Sequence, residues 1–252
     1  MKAIDRKRIL SSLDAPLHLH TKRKTGSTND DLKAAARKGA PDFSLLIADR
    51  QTAGRGREGN HFFSESGLFM SLLLPCSEIA SPFVTHVAAI AVAKAITELT
   101  KEKAEVKWVN DVFVKGRKVS GILTENISCE TGRRIVVGIG VNLGAPKKGF
   151  PAEIADSAGY LVADRTELAI LILKGLIERI ASFDKSAVQK EYETLSFLTG
   201  KRVAVVKAGE IKEALVRGLS DDLGLEVTYD DGAQEVLISG EIRLKLLQND
   251  RF

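Results

Sequence analysis

The segment that fixes the architecture reads Val106-Lys-Trp-Val-Asn-Asp-Val-Phe-Val-Lys-Gly-Arg-Lys-Val-Ser-Gly-Ile-Leu-Thr-Glu-Asn-Ile127. Together with the residues that follow, it contains four short apolar runs separated by turn signals. The runs are Val106–Trp108, Val112–Val114, Lys118–Ile127 and Arg133–Val141, and the turns are Lys115-Gly116-Arg117 and Glu130-Thr131-Gly132. Runs of this length, rich in β-branched residues and joined by such tight turns, predict an antiparallel meander.

Outside the meander, apolar periodicity predicts further strands and helices. The predicted strands are Leu17–Lys24, Phe43–Ala48 and Leu68–Leu74, and the predicted helices are Leu32–Lys38, Pro82–Thr100, Asp164–Phe183 and Lys185–Leu195. Ser27 with Asp30 three positions later resembles a capping box, which places a helix start there. Gly39 is a matching stop signal.

The character of the sequence changes near residue 198. The runs Val203–Val206, Ile211–Leu219, Leu225–Tyr229 and Val236–Leu246 are short, alternating and evenly spaced, which is typical of a small β-barrel. We therefore expect an α+β fold with a mixed or antiparallel central sheet, helices packed on one face, and a small C-terminal β-barrel. The expected domains are residues 1–197 and 198–252.

The composition excludes several classes of protein. The 252 residues are 44% hydrophobic and 28% charged with 6 prolines, unlike a disordered or collagen-like chain. The apolar stretches Leu168–Leu173 and Val87–Ile96 are shorter than the ~18 residues of a membrane span, so no transmembrane helix is expected. The basic start Met1–Arg8 is followed by no apolar segment, so we expect no signal peptide and a cytoplasmic location.

The net charge and the cysteine content say little about the function of the protein. Lys and Arg total 37 against 33 Asp and Glu, and this net charge of +4 mildly favours anionic ligands without indicating nucleic-acid binding. Cys76 and Cys129 belong to no metal-binding or disulfide pattern. We expect both to be small apolar residues, buried or half-buried.

The loop Gln51-Thr-Ala-Gly-Arg-Gly-Arg-Glu-Gly59 is the first candidate site. Its glycines free the backbone, and Arg55 and Arg57 offer fork-shaped donors to a phosphate or carboxylate. A flexible surface loop or an Arg–Gly nucleic-acid contact would show the same pattern. The spacing of a Walker loop is absent.

The second candidate site lies in the meander. If its strands pair as a hairpin, Lys107, Asp111 and Lys118 converge on one point. A solvated ion pair between neighbouring strands is the alternative.

Taken together and in this order, these segments resemble the biotin protein ligases from about Thr25 to the end of the chain. The shared landmarks are Ser27-Thr28-Asn29, Gln51-Thr-Ala-Gly54-Arg55-Gly56-Arg57, Lys107-Trp108-x-Asn110-Asp111, Lys118-Val-Ser-Gly121-Ile-Leu and Gly138-x-Gly-x-Asn142. The resemblance implies a mixed α/β catalytic domain followed by a small barrel. It also implies a reaction in which biotin and MgATP form biotinyl-5′-AMP, and a lysine of a biotin carboxyl carrier domain then takes the biotinyl group.

The resemblance assigns roles by motif. It makes Arg57 and Lys118 the catalytic cations that neutralise the two reacting anions, and Asp111 the group that orients or deprotonates the incoming lysine. The implied biotin-binding residues are Ser27, Thr28, Asn29, Gln51, Gly54, Arg55, Lys118 and Gly121. The implied ATP-binding residues are Arg55, Arg57, Phe62, Lys107, Trp108, Asn110 and Asn142. It assigns no metal ligands, and it implies that the glycine–arginine loop is disordered before ligand binds and then closes over it.

Three positions depart from the family pattern. Asn60 and Phe62 replace the usual Arg and Trp after the loop, and Val109 replaces a Pro. Phe62 can still stack on a flat ring, whereas Asn60 removes a cation, so we expect weaker contact with ATP or pyrophosphate.

Other functions remain open at this stage. A lipoate or octanoate ligase or transferase shares the core fold, and a non-catalytic biotin binder or a nucleic-acid-binding module would use the same loop. Only 26 residues precede Ser27, so we expect the monofunctional type without a helix-turn-helix DNA-binding domain. No membrane partner and no DNA-binding domain are expected, and a homodimer is suggested by family resemblance only.

Overall fold

The structure is a computed structural model that describes residues 2–63, 65–75, 81–130, 132–207, 209–238 and 242–246. Its helices are α1 (Arg6–Ser11), α2 (Thr28–Arg37), α3 (Ser81–Thr100), α4 (Arg165–Ala181) and α5 (Lys185–Leu195). The strands of the larger sheet are β1 (His18–Lys22), β2 (Ser44–Ala48), β3 (Gly67–Pro75), β4 (Ala104–Lys107), β5 (Asp111–Val114), β6 (Arg117–Cys129) and β7 (Gly132–Asn142). Those of the smaller sheet are β8 (Arg202–Lys207), β9 (Glu210–Leu219), β10 (Leu225–Tyr229), β11 (Gln234–Leu237) and β12 (Ile242–Leu246).

The larger sheet is mixed, and its strand order is β1-β2-β3-β7-β6-β5-β4. Strands β1 and β2 are parallel and every other pair is antiparallel, so the predicted meander is confirmed. Lys115 and Gly116 both have positive φ, 50° and 72°, as the two-residue turn between β5 and β6 requires. The register then places Asp111 opposite both Lys107 and Gly121.

The two faces of this sheet pack against different helices. Side chains alternate along each strand, so neighbouring residues belong to different faces. Val137 of β7 belongs to the main core, which includes α3, α4 and α5. Val136, its neighbour, belongs to a small separate cluster with Leu32 and Ala36 of α2. The larger helices thus share one face, as expected, and the short α2 covers part of the other.

Helix α3 corrects one expectation. Its segment Pro82–Thr100 is long and apolar enough to cross a membrane by length and composition, with a mean hydropathy of 1.4. The sequence argument predicted this helix but measured only the apolar run Val87–Ile96 within it, and it did not consider the hydropathy of the whole helix. Within the protein this window is 61% buried, as in a core helix, and it packs against the sheet, α4 and α5.

The start of α2 follows the predicted cap in part. Ser27 is the N-cap, and its side chain accepts a hydrogen bond from the backbone N–H of Asp30 at 3.4 Å. The Asp30 carboxylate does not complete the box, because it pairs with Lys33 and Arg55. Helix α1 was not predicted from the sequence.

The smaller sheet is antiparallel in the order β11-β10-β9-β8-β12. The predicted run Val236–Leu246 is divided between β11 and β12, which lie at opposite edges. Because only a few residues join those edges, a curled sheet is favoured over a flat one, in keeping with the predicted barrel. The boundary between residues 197 and 198 stays a prediction; Cys129 is half-buried as expected, and Cys76 lies outside the described residues.

Candidate active site

The floor of the cleft is made of glycines on the face that α2 leaves partly open. Gly121 of β6 lies opposite Gly140 of β7 in the register, and Gly138 follows on the same face. A Cβ at Gly138 would stand 2.1 Å from the Asn29 Oδ1, and one at Gly140 would stand 2.5 Å from the Phe62 ring. Because Gly138 and Gly140 have no side chains, Asn29 and Phe62 fit against the floor and leave a cavity of about 320 Å³.

Most of the residues predicted from sequence meet in this one cavity. Those that line it are Ser27, Thr28, Asn29, Gln51, Arg55, Arg57, Phe62, Lys107, Trp108, Asn110, Asp111, Lys118 and Gly121. Two predicted residues do not line it, Gly54 and Asn142. Gly54 is buried and its carbonyl accepts from the Phe62 N–H at 2.9 Å, so it shapes the loop.

One end of the cleft is polar but uncharged. Gln51 Oε1 accepts from the Thr28 N–H at 2.7 Å and from the Thr28 hydroxyl at 3.0 Å. The Ser71 hydroxyl lies 2.8 Å from Thr28 Oγ1 and 2.6 Å from Asn29 Oδ1. Since Thr28, Asn29 and Ser71 are all buried, this end presents fixed, neutral hydrogen-bonding groups.

The other end is cationic. Lys118 Nζ lies 2.6 Å from Asp111 Oδ1, so this pair forms the ion pair that the sequence left as an alternative. Burial lowers the pKa of Lys107; Asp111 opposes that shift and Lys118 adds to it. Arg57 donates through Nη1 to Asn110 Oδ1 at 3.4 Å, while its buried Nη2 finds no hydrogen-bond partner within the described part of the chain. An anion entering here would meet three cations and one carboxylate.

The glycine–arginine loop has a defined turn in this structure. The Gly56 N–H donates to the Asn60 carbonyl at 2.7 Å, and the Asn60 side chain donates to the Arg57 carbonyl at 2.9 Å. The Arg55 guanidinium pairs with both carboxylate oxygens of Asp30, at 2.7 and 2.6 Å. Disorder of the loop before ligand binding stays a prediction.

The comparisons with known proteins agree with this geometry. Residues 23–142 match the biotin/lipoate A/B protein ligase family. The chain is 31% identical to the biotin–[acetyl-CoA-carboxylase] ligase of Mycobacterium tuberculosis over 85% of this chain and 84% of that protein. The chain belongs to the biotin protein ligase family.

Two further relatives define how far the similarity reaches. The solved biotin protein ligase from Aquifex aeolicus in complex with biotin and ATP is 28% identical, with a TM-score of 0.79 over 91% of this chain and 99% of that one. The bifunctional ligase/repressor BirA of Bacillus subtilis is 37% identical over 54% of this chain. The match covers only 43% of that relative, so the chain spans less than half of its length.

The departures from the family pattern have local explanations. Phe62 lies over Gly121 and Gly140, and Asn60 closes the loop turn described above. Val109 is buried in the core. Its neighbour Trp108 lines the cleft and donates its indole N–H to the Leu223 carbonyl of the smaller sheet's turn, at 3.1 Å.

Asn142 stands two positions beyond Gly140 on the same face of β7. Its side-chain N–H donates to the Gly159 carbonyl at 3.0 Å, and none of the residues that the structure describes donates a hydrogen bond to its buried Oδ1. It thus lies beside the cleft rather than in its lining. Its assignment to ATP stays a prediction.

Sequence reasoning missed two residues that organise the neutral end. Glu125 accepts from the Asn29 side chain, and counting by two along β6 from Gly121 would have placed it on the cleft face. Ser71 lies opposite Gly138 across β3 and β7, a register that no local signal gives.

The described residues hold no group of three or more His, Cys, Asp or Glu side chains that could hold a metal ion. Asp111, a carboxylate of the cleft, is paired with Lys118. This donor set does not form a protein cage for Mg²⁺, an ion that commonly keeps its waters and arrives with substrate phosphates. An Mg²⁺ ion in this cleft would therefore have to arrive with the phosphates of a ligand.

Proposed function

We propose that this protein is an ATP-dependent biotin–protein ligase. It would activate biotin as biotinyl-5′-AMP with release of pyrophosphate, and transfer the biotinyl group to a lysine of a biotin carboxyl carrier domain. The observation that supports this best is one cleft with a neutral, hydrogen-bonding end and a cationic end. The names of the Mycobacterium and Aquifex relatives favour biotin and ATP as the substrates.

The neutral end suits the ureido ring of biotin. That ring carries two N–H donors and one carbonyl acceptor but no charge, so a charged pocket would cost desolvation without an ionic partner. Thr28, Asn29 and Gln51 supply hydrogen-bonding groups that are held by one another and by Ser71. A preorganised set of this kind orients the ligand at little entropic cost.

The cationic end suits the first step. A carboxylate oxygen of biotin bonds to the α-phosphorus while the bond to the pyrophosphate oxygen breaks, and pyrophosphate leaves with the electron pair. Attack of one anion on another is opposed by repulsion, which Lys118, Lys107 and Arg57 would reduce. The buried Nη2 of Arg57, which has no hydrogen-bond partner among the described residues, is available to such a ligand.

Asp111 would serve the second step. The acceptor lysine must lose a proton before its amine can attack the acyl carbon and displace AMP. Asp111 is a carboxylate of the cleft lining and is paired with Lys118 in this structure. Once Lys118 has turned toward the ligand's phosphate or carboxylate, Asp111 can accept a hydrogen bond from the incoming amine.

The test is exchange of labelled pyrophosphate into ATP, driven by biotin, with lipoate and octanoate in parallel. Lys118→Ala should lower biotin-dependent exchange by on the order of 10²–10³-fold. Lys207→Ala is the matched control, because Lys207 pairs with Glu235 at 2.5 Å in the smaller sheet. Wild-type exchange by the Lys118 variant would refute the catalytic assignment.

Arg57→Gly tests retention of the intermediate. Loss of this side chain should let biotinyl-5′-AMP leave the cleft, so bystander proteins in the mixture should become biotinylated. The readout is labelling of added serum albumin, compared with wild type at equal adenylation.

The strongest alternative is a lipoate or octanoate ligase, since the matching family includes lipoate enzymes. Exchange that depends on lipoate or octanoate instead of biotin would favour it. The domain limits at 197 and 198, the homodimer and the cytoplasmic location remain predictions.

A further inference from the structure

A continuous row of polar contacts leads from Asn29 in the cleft to the loop through Glu125, Lys33 and Asp30, to which the reaction above assigns no role. Asn29 donates through Nδ2 to Glu125 Oε2 at 2.8 Å and to the Leu123 carbonyl at 3.2 Å. Glu125 pairs with Lys33 at 2.6 Å, and Lys33 also pairs with Asp30 at 3.0 Å.

We propose that Glu125 is a positioning residue: it fixes the orientation of the Asn29 amide and thereby the pattern of donors and acceptors that biotin meets. This inference rests on the proposed function. Glu125 does not line the cleft and acts on it through its hydrogen bond with Asn29, which does.

The chemistry of the two side chains gives the reason. An amide can be turned so that either its oxygen or its NH₂ group faces a neighbour, whereas an ionised carboxylate can only accept. Glu125 together with the Leu123 carbonyl therefore holds the NH₂ group of Asn29 on its side. The Asn29 oxygen is left to face Ser71, 2.6 Å away.

This orientation orders the protons of the whole neutral end. The Ser71 hydroxyl has one proton, and it donates that hydrogen bond to the Asn29 oxygen. Thr28 Oγ1, 2.8 Å from Ser71, must then direct its own proton either to Ser71 or to Gln51. If the Asn29 amide were turned, the Ser71 hydroxyl would have to donate its hydrogen bond elsewhere. The pattern of donors and acceptors that a ureido ring meets would then change.

Lys33 compensates the charge of Glu125 and connects this arrangement to the loop through Asp30 and Arg55. The Lys33 side chain is only 14% exposed, so its contact with Glu125 is poorly screened. Burial raises the pKa of Asp30, but hydrogen bonds from Lys33 and Arg55 outweigh it and leave the pKa lowered. Asp30 thus remains a carboxylate that anchors Arg55 beside the same helix terminus.

Glu125→Gln separates this role from simple packing, because glutamine has the same shape. Its amide can present NH₂ toward Asn29 and it leaves Lys33 undercompensated. In the full-length protein, we expect the biotin Kd measured by titration calorimetry to rise about tenfold, with less than a twofold change in the ATP Kd. Glu213→Gln is the matched control, since Glu213 is a strand residue paired with Arg202 at 3.1 Å in the smaller sheet.

A second measurement keeps the inference separate from the proposed function. In ligand-free protein, the side-chain NH₂ signals of Asn29 in a ¹⁵N-correlated NMR spectrum should shift in Glu125→Gln and stay in place in Glu213→Gln. Wild-type protein that binds no biotin would refute the proposed function, while the NMR result would still test the positioning. An unchanged biotin Kd and Asn29 signal, or equal losses of biotin and ATP affinity, would overturn the inference.

Discussion

Adding one methyl group at either of two floor glycines should disable the two ends of the cleft separately. At Gly138 a Cβ would stand 2.1 Å from Asn29 Oδ1 and 2.8 Å from its Cγ. At Gly140 it would stand 2.5 and 2.8 Å from two carbon atoms of the Phe62 ring. These distances lie well inside van der Waals contact, so the neighbouring side chain must move.

Overpacking of this kind costs about 1–3 kcal/mol, which corresponds to about 5- to 150-fold in a dissociation constant. Gly138→Ala should therefore raise the biotin Kd within that range and change the ATP Kd little. Gly140→Ala should raise the ATP Kd within that range and change the biotin Kd little, because Phe62 is assigned to the nucleotide. The assay is titration calorimetry with each substrate alone.

Gly218→Ala is the control, since it is also a strand glycine but a Cβ there meets nothing within 4 Å. It should leave both dissociation constants unchanged. If Gly138→Ala bound biotin as tightly as wild type, Asn29 and the neutral end could not form the biotin subsite. If both floor variants lost both affinities equally, the division of the cleft into two ends would be refuted.

Two further predictions concern the contact between the larger and smaller sheets. Burial lowers the pKa of His86 from 6.5 to about 4, so the unfolded chain takes up the proton first as the pH falls. The free energy of unfolding should then drop by about 2 kcal/mol between about pH 7 and pH 5. In urea denaturation, the free energy of unfolding of His86→Gln should depend less on pH over this range than that of wild type. An equally steep dependence on pH would contradict the assignment. Trp108→Phe removes the donor to the buried Leu223 carbonyl and should lower the free energy of unfolding by about 1–3 kcal/mol, whereas a change below about 0.5 kcal/mol would show that this hydrogen bond is dispensable.

Local chemistry in the sequence was enough for several elements of the fold. The bounds of α5 and the meander follow from periodicity and from turns such as Lys115-Gly116, because such preferences act over a few residues. The cap at Ser27 was predicted for the same reason. Motif spacing also identified most of the cleft residues, although that success depended on family resemblance as well as on physics.

What the sequence by itself determined is therefore which residues form most of the strands, where helices α2 to α5 begin to within a few residues, and which side chains carry the charges and amides of the site. Only the tertiary structure decided their partners: Asp30 with Arg55, Asn29 with Glu125, and Trp108 with Leu223. Asn29 and Glu125 are 96 residues apart, and Trp108 and Leu223 are 115 apart. Contacts of that separation depend on which strands become neighbours and in what register, and this is set by the packing of the whole core rather than by any local preference.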